Sequence, residues 1–180
     1  MKPVARILLY VVLAFLVIVL LCVLIGLMLP KNHKAVVEGH YRASPTELHA
    51  AISDVDLGPS WRTGVKQVQV LSRPEEPLRW REVTDWGTLT MVQDVNEPNR
   101  IVARILDEGQ GWGGTWTYEI SPDGTGSIVR ITEDGVVTNP LYRFMSRYVM
   151  GYYKGLETYI TDLGRRFGET VEPLRVRQSH

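Results

Sequence analysis

The sequence predicts an α+β protein. A seven-stranded antiparallel sheet curls around one long C-terminal helix, and a single transmembrane helix precedes both. Three observations carry this. A charge-free apolar run lies near the N-terminus, a series of short strand-like runs fills the middle, and the apolar period lengthens from that of a strand to that of a helix near Leu141.

The apolar run is ILLYVVLAFLVIVLLCVLIGLML, from Ile7 to Leu29. As a helix it measures roughly 34 Å, against a bilayer hydrocarbon core of about 30 Å. A core helix would show a polar face, and this run has none. A cleaved signal would carry an apolar region of about 7–15 residues ending in small side chains. Here the run ends in Met28-Leu29-Pro30. Residues 1–30 are therefore expected to be a retained anchor. Lys2 and Arg6 precede it, whereas Lys31, Lys34 and the more distant Arg42 follow it. The positive-inside rule favours a cytoplasmic N-terminus, with the soluble domain of this single-pass protein on the non-cytoplasmic side.

The domain itself is expected over residues 31–167. AVVEGHYRA (35–43) reads as a strand with Val37, Gly39 and Tyr41 on one face. Ser44 is then a good N-cap, Pro45 suits the first helical position, and Glu47 completes a capping box. That helix ends near Asp54, ahead of Gly58-Pro59. Strand-like runs follow at 66–71, 78–86, 88–95, 100–106, 115–120 and 127–134, separated by Pro-, Gly- and Asn-rich turns. Short gaps between consecutive strands mean antiparallel hairpins.

From Leu141 to Phe167 the apolar residues recur at three and four, which predicts one helix of roughly 26 residues with Asn139 as its cap. A single amphipathic helix must cover the apolar face of the whole sheet, so the sheet has to curl around it. Residues 168–180 show no periodicity and are expected to be disordered.

Several classes of chemistry are excluded. The chain carries 20 Lys+Arg and 20 Asp+Glu, so no basic excess points to nucleic acid. Its one cysteine, Cys22, lies inside the apolar run, which leaves the domain without a disulfide or a thiol nucleophile. The histidines at 33, 40, 49 and 180 have no ligand spacing, so no metal is expected. GQGWGG (109–114) formally matches a dinucleotide fingerprint, but the segment after it, TWTYEI, reads as a strand where that motif needs a helix. No nucleophile elbow or phosphate loop is present, and no cofactor is expected.

The stretch RITEDGVVTNPLYRF (130–144) sets two acids side by side. Neighbours on a strand point to opposite faces, so Glu133 and Asp134 cannot cooperate. Parity with Val129 and Ile131 turns Glu133 inward, and Asp134-Gly135 is expected to shape a hinge. In RWREVTDW, Trp80, Glu82, Thr84 and Trp86 share a face, which makes Glu82 a second candidate interior carboxylate. The alternative is that these acids pair with arginine or stay solvated at the rim, because buried acids need partners.

Together SPTELHAAISD, WRTGVKQVQVL, GGTWTYEISPDGTGSIVRITEDGVVTNPLYRF and the helical GYYKGLETYITDL resemble the polyketide cyclase/dehydratase and lipid-transport superfamily, the START-like helix-grip group. The resemblance covers roughly residues 34–167. It implies an apolar cavity between sheet and helix that binds lipids, sterols, polyketides or other apolar ligands. Some members are enzymes, and no universal catalytic motif carries over. The membrane anchor departs from the free soluble members.

Strand parity nominates Trp80, Met91, Trp116 and Tyr118 for the cavity wall, with Glu82 and Glu133 beside them. The helix stripe nominates Met145, Tyr148, Val149 and Tyr152. The expected function is membrane-tethered binding of a lipid or other apolar small molecule without covalent chemistry. The alternatives are a protein-interaction module with a filled core, or a cyclase- or dehydratase-type enzyme using Glu82 or Glu133.

Overall fold

The computed structural model describes residues 3–177. Helix α1 (Pro3–Met28) is 26 residues long and, among the described residues, is the one helix long and apolar enough to cross a membrane. Strand β1 (Asn32–Tyr41) follows the turn at Pro30, and α2 (Pro45–Ser53) starts with the capping box that Ser44 and Glu47 form. A short 3₁₀ turn leads into α3 (Gly58–Trp61).

Six strands come next: β2 (Val65–Val70), β3 (Arg79–Thr84), β4 (Gly87–Glu97), β5 (Arg100–Ile105), β6 (Trp112–Asp123) and β7 (Gly126–Val137). Each pairs antiparallel with the next, and β1 pairs with β7 along its whole length. The helix-grip arrangement expected from the sequence is present: α5 (Lys154–Arg166) lies in the concavity of the sheet. Leu156, Ile160 and Leu163 of α5 are fully buried, as are Val37 of β1 and Val129 and Ile131 of β7. Each such side chain contributes about 1.5–3 kcal/mol on burial.

Gly39 sets how closely helix and sheet approach. A Cβ there would stand 2.6 Å from Cγ2 of Ile160 and 2.9 Å from the Tyr41 hydroxyl. That hydroxyl donates to the Ile160 carbonyl at 3.0 Å, tying β1 to α5.

Four expectations are corrected. The first concerns the long helix, which is two helical segments. Helix α4 (Pro140–Met145) continues as a π-helical turn through Met150, stops at Gly151 with φ +77°, and restarts as α5. Glycine takes that left-handed conformation without the penalty a Cβ would bring, and such a residue is a common helix stop. The apolar period runs across the break because both segments bury a face, but on different partners. Helix α4 packs on α1, and α5 packs on the sheet.

The second concerns Tyr148 and Val149, nominated for the cavity wall. They lie on the π-helical turn and are 60% and 62% exposed.

The third concerns Asp134-Gly135, which form no hinge. Strand β7 passes straight through them to Val137, with Asp134 opposite Lys34 and Thr115. Gly135 is needed because the His33 ring covers it, and a Cβ would come within 2.1 Å of that ring. The chain turns instead at Asn139, whose Oδ1 accepts from the Leu141 and Tyr142 amides at 2.9 and 3.2 Å.

The fourth concerns the segment after α5, expected to be disordered. Its described part is fixed. Glu169 accepts from the Arg42 and Ala43 amides, Val171 is buried, and β8 (Leu174–Arg175) extends the sheet beside β1 as an eighth strand. Residues 178–180 of that segment lie outside the described residues.

Candidate functional site

Beneath the sheet, four elements bring polar and aromatic groups to one place. The end of α3 supplies Trp61 and, just beyond it, Arg62. Alternation along β3 turns Trp80 and Glu82 inward, and alternation along β6 does the same for Trp116 and Tyr118. Helix α5 presents Tyr159 at the centre. Its ring lies 5.3 Å from that of Trp61, 6.0 Å from Trp116 and 5.3 Å from Tyr118. The Arg62 guanidinium covers its face at 5.3 Å.

Glu82 is 1% exposed. Its Oε1 accepts from Arg62 Nη1 at 2.6 Å and from the Trp80 indole N–H at 2.9 Å. Arginine pairing, the alternative weighed from sequence, is thus what satisfies one side of this carboxylate. The other oxygen, Oε2, is buried without a partner, and so are the indole N–H groups of Trp61 and Trp116. Asp162 of α5 anchors the loop that carries Arg62. It accepts from the Thr63 amide at 2.5 Å and from the Thr63 hydroxyl at 3.0 Å, and it also pairs with Arg165.

Burial governs the titration of this cluster. It pushes the Tyr159 phenol up to about 12, with Arg62 pulling the other way, and it lifts Tyr118 well above the usual phenol range. Burial alone would lower the Arg62 pKa, but the Glu82 carboxylate and the two phenols raise it further, so Arg62 stays cationic.

Of the residues nominated from sequence, Trp80, Glu82, Trp116 and Tyr118 belong to this cluster, and buried Met91 pairs across the strands with Trp80. Glu133 lies opposite Trp116 in the β6–β7 ladder and 3.5 Å from His33 Nε2, and Tyr152 stacks on the His33 ring at a centroid distance of 4.0 Å. Met145, half-buried, lies on α4 with Tyr148 and Val149 just beyond it, away from the cluster. Trp86, which shares parity with Trp80, falls in the β3–β4 turn and is 80% exposed.

The residues missed from sequence are Trp61, Arg62 and Asp162, with Tyr159 not placed at the centre. The available signal was an inward carboxylate in want of a cation, with Trp61-Arg62 standing in the Gly-Pro break before the sheet.

Aromatic rings 5.3–6.0 Å from that of Tyr159 line the concavity in which the resemblance places a ligand cavity. Two open depressions lie elsewhere on the surface, one around His40, Asp123 and Glu169, the other around Leu71, Arg79 and Val92. Among the described residues no cluster of His, Cys, Asp or Glu could hold a metal ion.

A curled antiparallel sheet holding a C-terminal helix over a polar-aromatic interior is a helix-grip fold. The chain belongs to the polyketide cyclase / dehydrase and lipid transport family, which it matches over residues 32–158.

Solved structures agree on the fold. A protein from Thermus thermophilus is 18% identical with a TM-score of 0.63, over 74% of this chain and 96% of that one. A START superfamily protein from Mycobacterium smegmatis is 18% identical with a TM-score of 0.54, over 74% and 99%. An aromatase/cyclase from Streptomyces sp. R1128 is 15% identical with a TM-score of 0.56, over 76% and 95%. The chain spans only 52% of the di-domain aromatase/cyclase of the steffimycin pathway that it also resembles. No curated protein matches it in sequence.

Proposed function

We propose that this chain is a membrane-anchored binder of a small amphiphile, held between sheet and α5 without covalent chemistry. The observation that carries the proposal is the set of three unpartnered buried polar atoms around Tyr159: Glu82 Oε2 and the indole N–H groups of Trp61 and Trp116. Buried polar groups in a close-packed core are almost always hydrogen-bonded, and each orphan costs about 1–3 kcal/mol. A ligand that accepts two hydrogen bonds and donates one would satisfy them, while its apolar part contacts the surrounding rings. The family's apolar-ligand chemistry supports the same reading. Helix α1 would hold the domain beside the membrane from which such a molecule partitions, on the non-cytoplasmic side by the positive-inside rule.

The free Oε2 also favours a second reading, in which Glu82 moves a proton on a bound polyketide-like substrate. Saturable binding with the ligand recovered unchanged separates the first reading from the second.

The test uses delipidated full-length protein in micelles, titrated with brominated fatty acids and alcohols while tryptophan emission is followed. Saturable quenching that weakens about tenfold or more in Trp61→Phe/Trp116→Phe, by loss of two hydrogen bonds, is the expected result. Quenching that rises linearly and is unchanged by the substitutions would leave the domain an interaction module with a filled core.

A further inference from the structure

The segment between the sheet and α5 points away from the ligand site and towards α1. Helix α4 packs on α1, with the Pro140 carbonyl so close to Gly26 that a Cβ there would stand 1.9 Å from it. Arg143 donates from Nη1 to the Leu29 carbonyl at 2.8 Å. The shielded positions of α1 are Val19, Cys22, Val23 and Gly26, continued just past its end by Leu29, one face at spacings of three and four. That face runs back from Leu29 to Val19, roughly 15 Å along the helix. A packed segment therefore lies level with the C-terminal part of the apolar run, not beyond its end.

Large hydrophobic side chains of this segment are left uncovered. Tyr142, Tyr148, Val149 and Met150 are all exposed. From Gly135 to Leu156 there is no Asp or Glu, while the exposed Arg147 and Lys154 fall within the same stretch. Arg147 lies beside the tyrosines. Amphipathic tyrosine rings, and basic side chains with no acid among them, are what the headgroup layer of a bilayer favours.

We infer that α4 and its π-helical turn form an interfacial element that lies in the bilayer surface beside α1, with Tyr148, Val149 and Met150 entering the acyl boundary. The domain is then seated on the membrane in one orientation instead of swinging on a single tether. The inference rests on α1 being a membrane span. An amphipathic segment of this kind buries its apolar face about 5–10 Å into the headgroup boundary.

The test uses the full chain with Cys22→Ser and one introduced cysteine, labelled with an environment-sensitive dye in phosphatidylcholine–phosphatidylserine vesicles. The positions are Val149→Cys, Leu13→Cys within α1, and Thr125→Cys in the turn between β6 and β7, at the far end of those strands from Val137. All three side chains are exposed, so the substitutions leave the packing intact.

The expected result is blue-shifted emission at 149 that is largely lost to lipid-borne nitroxides and spared by an aqueous nickel quencher, with the reverse at 125. If 13 is quenched by lipid nitroxides while 149 behaves like 125, the anchor stands and the interfacial element is overturned. If 13 itself is open to the aqueous quencher, the anchor reading fails and takes this inference with it. If 149 is shielded from both quenchers until the protein is diluted in lipid, a second copy covers the segment and the bilayer does not.

Discussion

The guanidinium of Arg143 bonds carbonyl groups just past the end of α1 and at the end of the sheet, reaching Leu29 at 2.8 Å and Thr138 at 3.3 Å. The C-terminus of α1 leaves unsatisfied carbonyls and a negative dipole end, and a buried cation answers both. Arg143→Met removes the donors and keeps the apolar stem. The loss expected for a buried carbonyl left without its partner is about 1–3 kcal/mol. It should appear as faster tryptic cleavage after Lys31 in micelles, because the link between α1 and β1 loosens. Unchanged cleavage would mean that the Gly26–Pro140 contact alone holds the two helices.

Gly39→Ala tests the grip itself. The added methyl would meet Ile160, the Tyr41 hydroxyl and Val171 at 2.6, 2.9 and 3.0 Å, three neighbours that cannot all withdraw. Overpacking of this kind typically costs about 1–3 kcal/mol. Chemical denaturation should show that loss, and hydrogen exchange should rise first in the Leu174–Arg175 strand, which follows Val171. A neutral result would show that helix and sheet can separate by a few tenths of an ångström freely.

How much of this was legible in the sequence depends on what each element packs against. Strand β3 was legible because one face meets the core and alternation follows, Trp80 and Glu82 being buried between the exposed Arg79 and Arg81. The cap at Ser44 was legible because its partners are local. The break at Gly151 was missed because the apolar spacing runs on past it, although α4 packs on α1 and α5 packs on the sheet. Parity found Glu82 but not Arg62, which sits after a four-residue helix with no period of its own. The pairing of Leu174 with Glu38 rests on backbone groups, which leave no pattern in side chains.

The Arg62–Glu82 pair should respond asymmetrically to removal of either partner. Glu82 is buried, whereas the Arg62 side chain is 21% exposed and can reach water at the edge of the cluster. Arg62→Met strands a buried carboxylate and should cost about 3–5 kcal/mol, the usual consequence of breaking a buried pair from one side. Glu82→Met should cost less. The double variant should lose less than the two single variants together, since both charges are gone. Denaturation of the four proteins at neutral pH closes this cycle. Strict additivity would mean that the carboxylate finds other donors as readily as Arg62.

The phenols of the cluster make a prediction about alkaline pH. Tyr159 has its folded pKa raised from 10.0 to about 12, chiefly by burial. Between these values the unfolded chain has released the proton and the folded chain still holds it, so folding binds a proton and stability falls as pH rises. The contribution is fully present below pH 10 and is lost by the time pH passes the folded value near 12. A shift of this size corresponds to roughly 2–3 kcal/mol across that window. Tyr118 is raised in the same direction and steepens the decline. Tyr159→Phe should therefore flatten the fall of stability above pH 10 relative to the parent, whatever its cost at neutral pH. Denaturation midpoints measured at intervals from neutral pH upward give the slope directly. Parallel slopes in parent and variant would show that Tyr159 ionises in the folded protein as it does in the unfolded chain, and that the cluster is wetter than its burial implies.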